Sequence, residues 1–163
     1  MRKKLSRNIE SLVVTGINSK GMGVAKDTSG AVYFIKETIP GDVVNINVYK
    51  KRRGYFEAQP TAFLKKSPHR VTPPCTHFGL CGGCKWQHFE YAQQLKFKEA
   101  GVLRNLQKIG KVNPEETLPI MAAPDAYWYR NKLEFSFSTN RWLTPAEVES
   151  KEEHVRLGLG FHK

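Results

Sequence analysis

Ile39-Pro40-Gly41-Asp42-Val43-Val44-Asn45-Ile46-Asn47-Val48-Tyr49 decides how the first half of the chain is read. Val44, Ile46 and Val48 alternate with Asn45, Asn47 and Tyr49, the two-residue period of a strand with one buried face. Pro40-Gly41-Asp42 is a turn ahead of it, and the stretch 50–54 is a turn behind it. Four more β-prone runs lie to either side, at 9–17, 23–26, 31–35 and 55–64. Turn signals at 18–21 and 28–30 separate them, and no stretch carries a helical period. Five short strands in about 60 residues predict a small closed barrel, because closure removes exposed edges.

Charge divides the chain in the same place. The 163 residues carry 26 Lys and Arg against 15 Asp and Glu, a net charge of +11. Residues 1–74 account for +9 of it and residues 75–163 for +2. An excess of this size favours a polyanionic partner, although it equally suits a solvated surface. The boundary is the Pro-rich stretch 68–74, read as a linker between a barrel at 1–67 and a second unit at 75–163. No apolar run approaches the ~18 residues of a membrane span, and the basic start is followed by no secretory pattern. The chain therefore reads as cytoplasmic, and nothing in it asks for a membrane or an obligate protein partner.

The turn after the decisive strand is Lys50-Lys51-Arg52-Arg53-Gly54-Tyr55-Phe56. Four cations can neutralise phosphates, and Tyr55 can stack on an unpaired base. Such a mixture suits single-stranded RNA better than duplex DNA. Because Tyr55 and Phe56 alternate, one of the two must face the core.

All three cysteines fall within ten residues, as Cys75, Cys81 and Cys84 with spacing C-x5-C-x2-C. Clustered thiols in a basic chain argue against a disulfide framework. Gly79, Gly82 and Gly83 allow a tight loop, and thiolates there suit zinc or an iron–sulfur cluster. Zinc would need a fourth ligand, for which His77 and His88 are at hand.

Two resemblances follow. Gly21-Met22-Gly23-Val24-Ala25, Phe34-Ile35 and Ile39–Val43 leading into the cations 50–53 resemble a TRAM domain, an OB-like barrel that accompanies RNA-modifying enzymes. Cys75 and the loop Phe78-Gly-Leu-Cys81-Gly-Gly-Cys84-Lys-Trp86-Gln-His88 resemble the iron–sulfur segment of class I RNA uracil-C5 methyltransferases, which include the 23S rRNA (uracil-5-)-methyltransferases. The resemblance implies that Cys75, Cys81 and Cys84 ligate a 4Fe–4S cluster whose fourth Cys lies outside this chain. It also implies an S-adenosylmethionine-dependent parent, of which this is the N-terminal part without the catalytic domain. The partner would then be RNA, 23S rRNA in particular.

Beyond the cysteines, 90–109 reads as a helix with Ala92, Leu95, Val102, Leu106 and Ile109 near one face. Leu133, Phe135 and Phe137 alternate with polar residues, predicting a strand at 133–138 that pairs antiparallel with another at 155–161. The stretch 141–153 reads as a polar loop, and Trp128 and Trp142 as packing residues. Tyr129-Arg130-Asn131-Lys132 matches a motif of the same methyltransferases, which implies RNA contact for Arg130 and Lys132. The residues themselves also allow a salt-linked sheet surface with Glu134. No glycine-rich cofactor turn follows any strand. The expected fold is β-rich, α+β: a five-stranded OB-like barrel followed by a small α+β iron–sulfur domain.

Overall fold

The computed structural model describes residues 6–150 and 152–160. Five strands form a closed barrel: β1 (Arg7–Ile17), β2 (Gly23–Lys26), β3 (Val32–Ile35), β4 (Val43–Arg52) and β5 (Tyr55–Lys65). Their order round the barrel is β1-β2-β3-β5-β4, with every neighbour antiparallel except the parallel pair β3–β5. This matches the expected strands to within a few residues. β4 and β5 run further than expected, because the hairpin between them is tight: Arg52 pairs with Tyr55 across Arg53 and Gly54.

The alternation read from the sequence is the barrel's interior. Val44, Ile46 and Val48 of β4 join Leu12, Val14, Ala25, Tyr33, Ile35 and Ala58 in one core, with Phe56 packed against it. Tyr33 is buried with a polar end, and its hydroxyl donates to Asp27 Oδ2 at 2.7 Å. Asp27 also caps its own turn, accepting from the Ser29 hydroxyl and from the Ser29 and Ala31 amides. These bonds, the Ser29 hydroxyl foremost, hold its carboxyl down at about 2.

The expected linker is tied to the barrel. Asp42 is fully buried and accepts four hydrogen bonds. Its Oδ1 takes the Ser67 amide and Arg70 Nε, both at 2.9 Å. Its Oδ2 takes the Ile39 amide at 2.8 Å and Arg70 Nη2 at 2.7 Å. Arg70 also donates to the Glu37 carbonyl and lies over the Phe63 ring, 4.7 Å from its centre. A stretch rich in proline and poor in apolar residues looks free in sequence. Here a buried carboxylate from the preceding turn anchors it.

Residues 69–71 then pair with 88–90. The Val71 amide donates to the His88 carbonyl and the Glu90 amide to the His69 carbonyl. Phe89 enters a second small core with Ile17 and Ile39, supported by Trp86 and Phe97. Gly21 makes the approach possible. Its φ is +77°, and a Cβ there would lie 2.7 Å from Lys85 Cβ and 2.9 Å from Trp86 Nε1.

The remaining elements are α1 (Tyr91–Asn105), a π-helical turn (Leu106–Gly110), β6 (Ser136–Ser138), α2 (Pro145–Ser150) and β7 (Gly158–Gly160). β6 and β7 pair antiparallel, Phe137 opposite Leu159, as the alternation predicts. Several expectations are corrected. The strand expected at 133–138 is regular only over Ser136–Ser138, and the expected polar loop contains α2. Position 161 of the second expected strand lies outside the described residues. Among the described residues from 90 to 160 none is buried. The expected apolar face of α1 is open, with Val102 59% and Ile109 79% exposed, while Phe97 faces the barrel-side core instead. Trp128 and Trp142 are exposed as well. Amphipathic patterning creates a surface that needs burial, but these segments have no facing layer to complete a core.

Candidate RNA interface and cysteine loop

The sequence-predicted cations Lys50, Lys51 and Arg52 end β4, Arg53 sits in the turn, and all four are exposed. Tyr55 begins β5 and is half-buried. Phe56 is the partner that turns inward, its ring 5.4 Å from that of Tyr33. Arg52 Nε donates to Glu57 Oε1 at 2.8 Å. Glu57 is consequently held below the ordinary carboxylate range, by the Arg52 hydrogen bond first, although partial burial opposes this. Lys51 lies over the Phe56 ring, 5.9 Å from its centre.

Three neighbours were not singled out as binding residues in the sequence. The Phe34 ring is 4.4 Å from that of Tyr55. Lys36 Nζ is 5.1 Å from the centre of the Tyr49 ring. Tyr49 carried a signal, standing with Asn45 and Asn47 on the outward side of the alternation. Phe34 and Lys36 carried none, because a parallel β3–β5 pairing cannot be read from local pattern.

Arg130 and Lys132 lie in the irregular stretch 127–135, both exposed. Lys132 Nζ is 2.8 Å from Glu134 Oε1, with both side chains more than 80% exposed. This is the pairing the residues allowed, though not on a sheet. An ion pair so exposed contributes less than about 1 kcal/mol.

The cysteines form a loop of successive turns. The Phe78 amide donates to the Cys75 carbonyl, and the Leu80 and Cys81 amides donate to the His77 carbonyl. Cys81 Sγ accepts the Gly83 amide at 3.4 Å. All three thiols are free, Cys75 and Cys81 half-buried and Cys84 exposed. Free thiols in a loop whose amides reach sulfur are the right donor chemistry for a soft metal centre. They are not drawn together: among the described residues no three His, Cys, Asp or Glu side chains lie close enough to hold a metal ion. His77 is exposed. His88 is 5% exposed, its ring 5.0 Å from that of Phe78 in the cysteine loop. Neither ring nitrogen has a hydrogen-bond partner. Burial, followed by the charge of Arg70, pushes its pKa down to about 4, so the imidazole is neutral near pH 7.

The closed five-stranded barrel is a TRAM-type module, the TRAM domain model matching residues 8–61. Nearly the whole chain is related to RNA methyltransferases. It is 41% identical over 145 residues, 88% of its length, to an uncharacterized RNA methyltransferase of Bacteroides thetaiotaomicron. A similar protein of Porphyromonas gingivalis is 41% identical over 91% of the chain. The 23S rRNA (uracil(1939)-C(5))-methyltransferase RlmD of Xanthomonas axonopodis pv. citri is 39% identical over 83%. The chain spans about a third of the length of these relatives, 31–33%. Among the described residues no helix is long and apolar enough to cross a membrane.

Proposed function

We propose that this chain is the RNA-gripping portion of an S-adenosylmethionine-dependent RNA (uracil-C5) methyltransferase that acts on 23S rRNA. The observation that carries the proposal is 39% identity, over 83% of the chain, to a protein with that rRNA activity in its name. The cationic and aromatic rim of the barrel supports it chemically. In this role the barrel holds structured RNA so that an unpaired or flipped uridine is presented for reaction. Uracil C5 becomes nucleophilic only after a thiolate adds at C6, so the parent needs a Cys nucleophile, a base and a methyl donor. Those groups belong to the part of the parent outside this chain, and the chain alone is inactive.

Cys75, Cys81 and Cys84 are the residues that would hold the 4Fe–4S cluster, with a fourth Cys from outside the chain. When bound, the cluster supplies structure, since methyl transfer by this route moves no electrons. The loop must close for the three sulfurs to converge. A second reading, a stand-alone RNA-binding protein with a Cys3His zinc knuckle, draws support from His88, which is buried, neutral and bare at both nitrogens.

Anaerobic purification with a visible spectrum and iron, sulfide and zinc analysis separates the two. Iron with labile sulfide and a broad band near ~400 nm is expected for the cluster. Zinc at one equivalent without iron supports the knuckle. The RNA role is tested by competition: a 23S rRNA hairpin with an unpaired uridine should displace a labelled RNA that duplex DNA of equal length does not. Equal displacement by duplex DNA contradicts the proposal.

A further inference from the structure

We infer that the outer face of β3, β5 and β4 is a platform for an unpaired stretch of RNA, its bases stacked on the Phe34–Tyr55 pair and its phosphates held by Lys20, Lys36 and Lys50. The inference rests on the RNA-binding reading above and adds where on the barrel, and to which form of RNA, binding occurs.

Strand alternation supplies the face. Tyr33 and Ile35 are buried in the core, so Phe34 between them points outward. Phe56 packs against the same core, so Tyr55 and Glu57 point outward. The parallel register sets Tyr33 opposite Phe56 and Phe34 opposite Glu57, which brings the Phe34 and Tyr55 rings to 4.4 Å. On the other side of β5, Tyr49 extends the aromatic surface with Lys36 poised over its ring.

Cations surround these rings. Arg52 lies opposite Tyr55 and is fixed there by Glu57. Lys50 stands opposite Glu57 in the β4–β5 pairing, and Lys20 lies within electrostatic range of the same carboxylate. With Lys36 over the neighbouring Tyr49 ring, four cations gather around Phe34, Tyr55 and Glu57. An outward aromatic pair alone would be an ordinary cross-strand contact. A cross-strand contact does not require an excess of positive charge around it, whereas a polyanion does. The combination of aromatic rings and cations selects the form of RNA. A duplex offers phosphates but hides its base faces in the stack, while an unpaired segment offers both at once.

The test uses the whole chain with fluorescein-labelled decauridine, a 23S rRNA hairpin and an RNA duplex of matched length. The double variant F34L/Y55L keeps the apolar bulk and removes the π-faces. It should weaken decauridine binding at least about tenfold with an unchanged salt slope. The variant K20Q/K36Q should weaken binding and make the slope of log K against log salt shallower by about 1.4, two phosphates on a single strand. Circular dichroism and melting report whether each variant folds. Photo-crosslinking of wild-type chain to 4-thiouridine RNA needs no variant, and should modify peptides carrying Phe34, Tyr49 or Tyr55. If wild-type chain binds none of the three RNAs, the RNA reading itself fails. If it binds while F34L/Y55L binds equally well, or if crosslinks fall only within 91–160, the platform alone is overturned.

Discussion

Replacing Asp42 by alanine should unfold most of what joins the barrel to the cysteine-bearing segment. The side chain is fully buried and accepts four hydrogen bonds, from the Ile39 and Ser67 amides and from two nitrogens of Arg70. Removal leaves two amides unsatisfied in the interior, each costing about 1–3 kcal/mol. It also strands a guanidinium whose side chain is only 21% exposed. Breaking one side of a buried ion pair costs about 3–5 kcal/mol. These terms overlap, and about 3–5 kcal/mol for the variant is the consistent figure, a large share of a typical domain's stability of about 5–15 kcal/mol. R70M breaks the same pair from the other side, leaving the buried carboxylate with two amides and no counter-ion, and should cost about as much. The assay is urea unfolding of wild type, D42A, R70M and the double variant, followed by circular dichroism. The double variant should be more stable than the sum of the singles allows, by more than about 1 kcal/mol. Acid unfolding gives an independent check. Burial alone would raise the Asp42 carboxyl, but Arg70 and the two amides outweigh it and hold it below the ordinary carboxylate value. Because the folded value is lower than the unfolded one, this stabilisation is present in full above about pH 4. It is lost as pH falls through the folded value. The difference between wild type and D42N should therefore shrink below pH 4. A cost for D42A under about 1 kcal/mol, or additive single variants, would refute the reasoning.

Three further outcomes follow from the geometry. His88 is buried and neutral, with its pKa pushed down to about 4 from 6.5, so the unfolded chain binds a proton the folded chain refuses. Stability should fall between pH 6.5 and 4 by up to roughly 3 kcal/mol and level off below; H88L should lack this slope in metal-free urea titrations. G23A should destabilise the barrel by about 1–3 kcal/mol, measured by melting, because the new Cβ would collide with Thr38 Oγ1 and lie 2.8 Å from Val14 Cγ1. The variant C75S/C81S/C84S should lose bound metal on analysis yet keep the barrel's melting transition, since the main core draws on no residue beyond Ala58.

The barrel was legible because its information is local. A period of two in β4 and turn residues at each bend named every strand, and closure followed from the need to hide edges. Contacts between distant strands were less accessible. Nothing near Phe34 tells that β3 runs parallel to β5, so its contact with Tyr55 could not be read from the sequence. The anchoring of the stretch 68–74 was hidden for the same reason: the carboxylate that holds Arg70 lies 28 residues earlier. In the second half the patterning correctly placed a helix and a paired strand, but a pattern marks a face that needs covering without saying what covers it. Cys75, Cys81 and Cys84 are joined by the sequence and not by side-chain geometry, so their role rests on spacing and chemistry.

The central claim is that this chain holds RNA through the barrel's cationic, aromatic face, and a salt titration tests it most directly. Binding of the 23S rRNA hairpin, followed by fluorescence anisotropy, should weaken linearly in log–log form as salt rises. The slope should be about −2 to −3.5, the release expected for three to five phosphates on a single strand. An affinity for the hairpin no greater than for duplex DNA, or one that does not change with salt, would contradict the account.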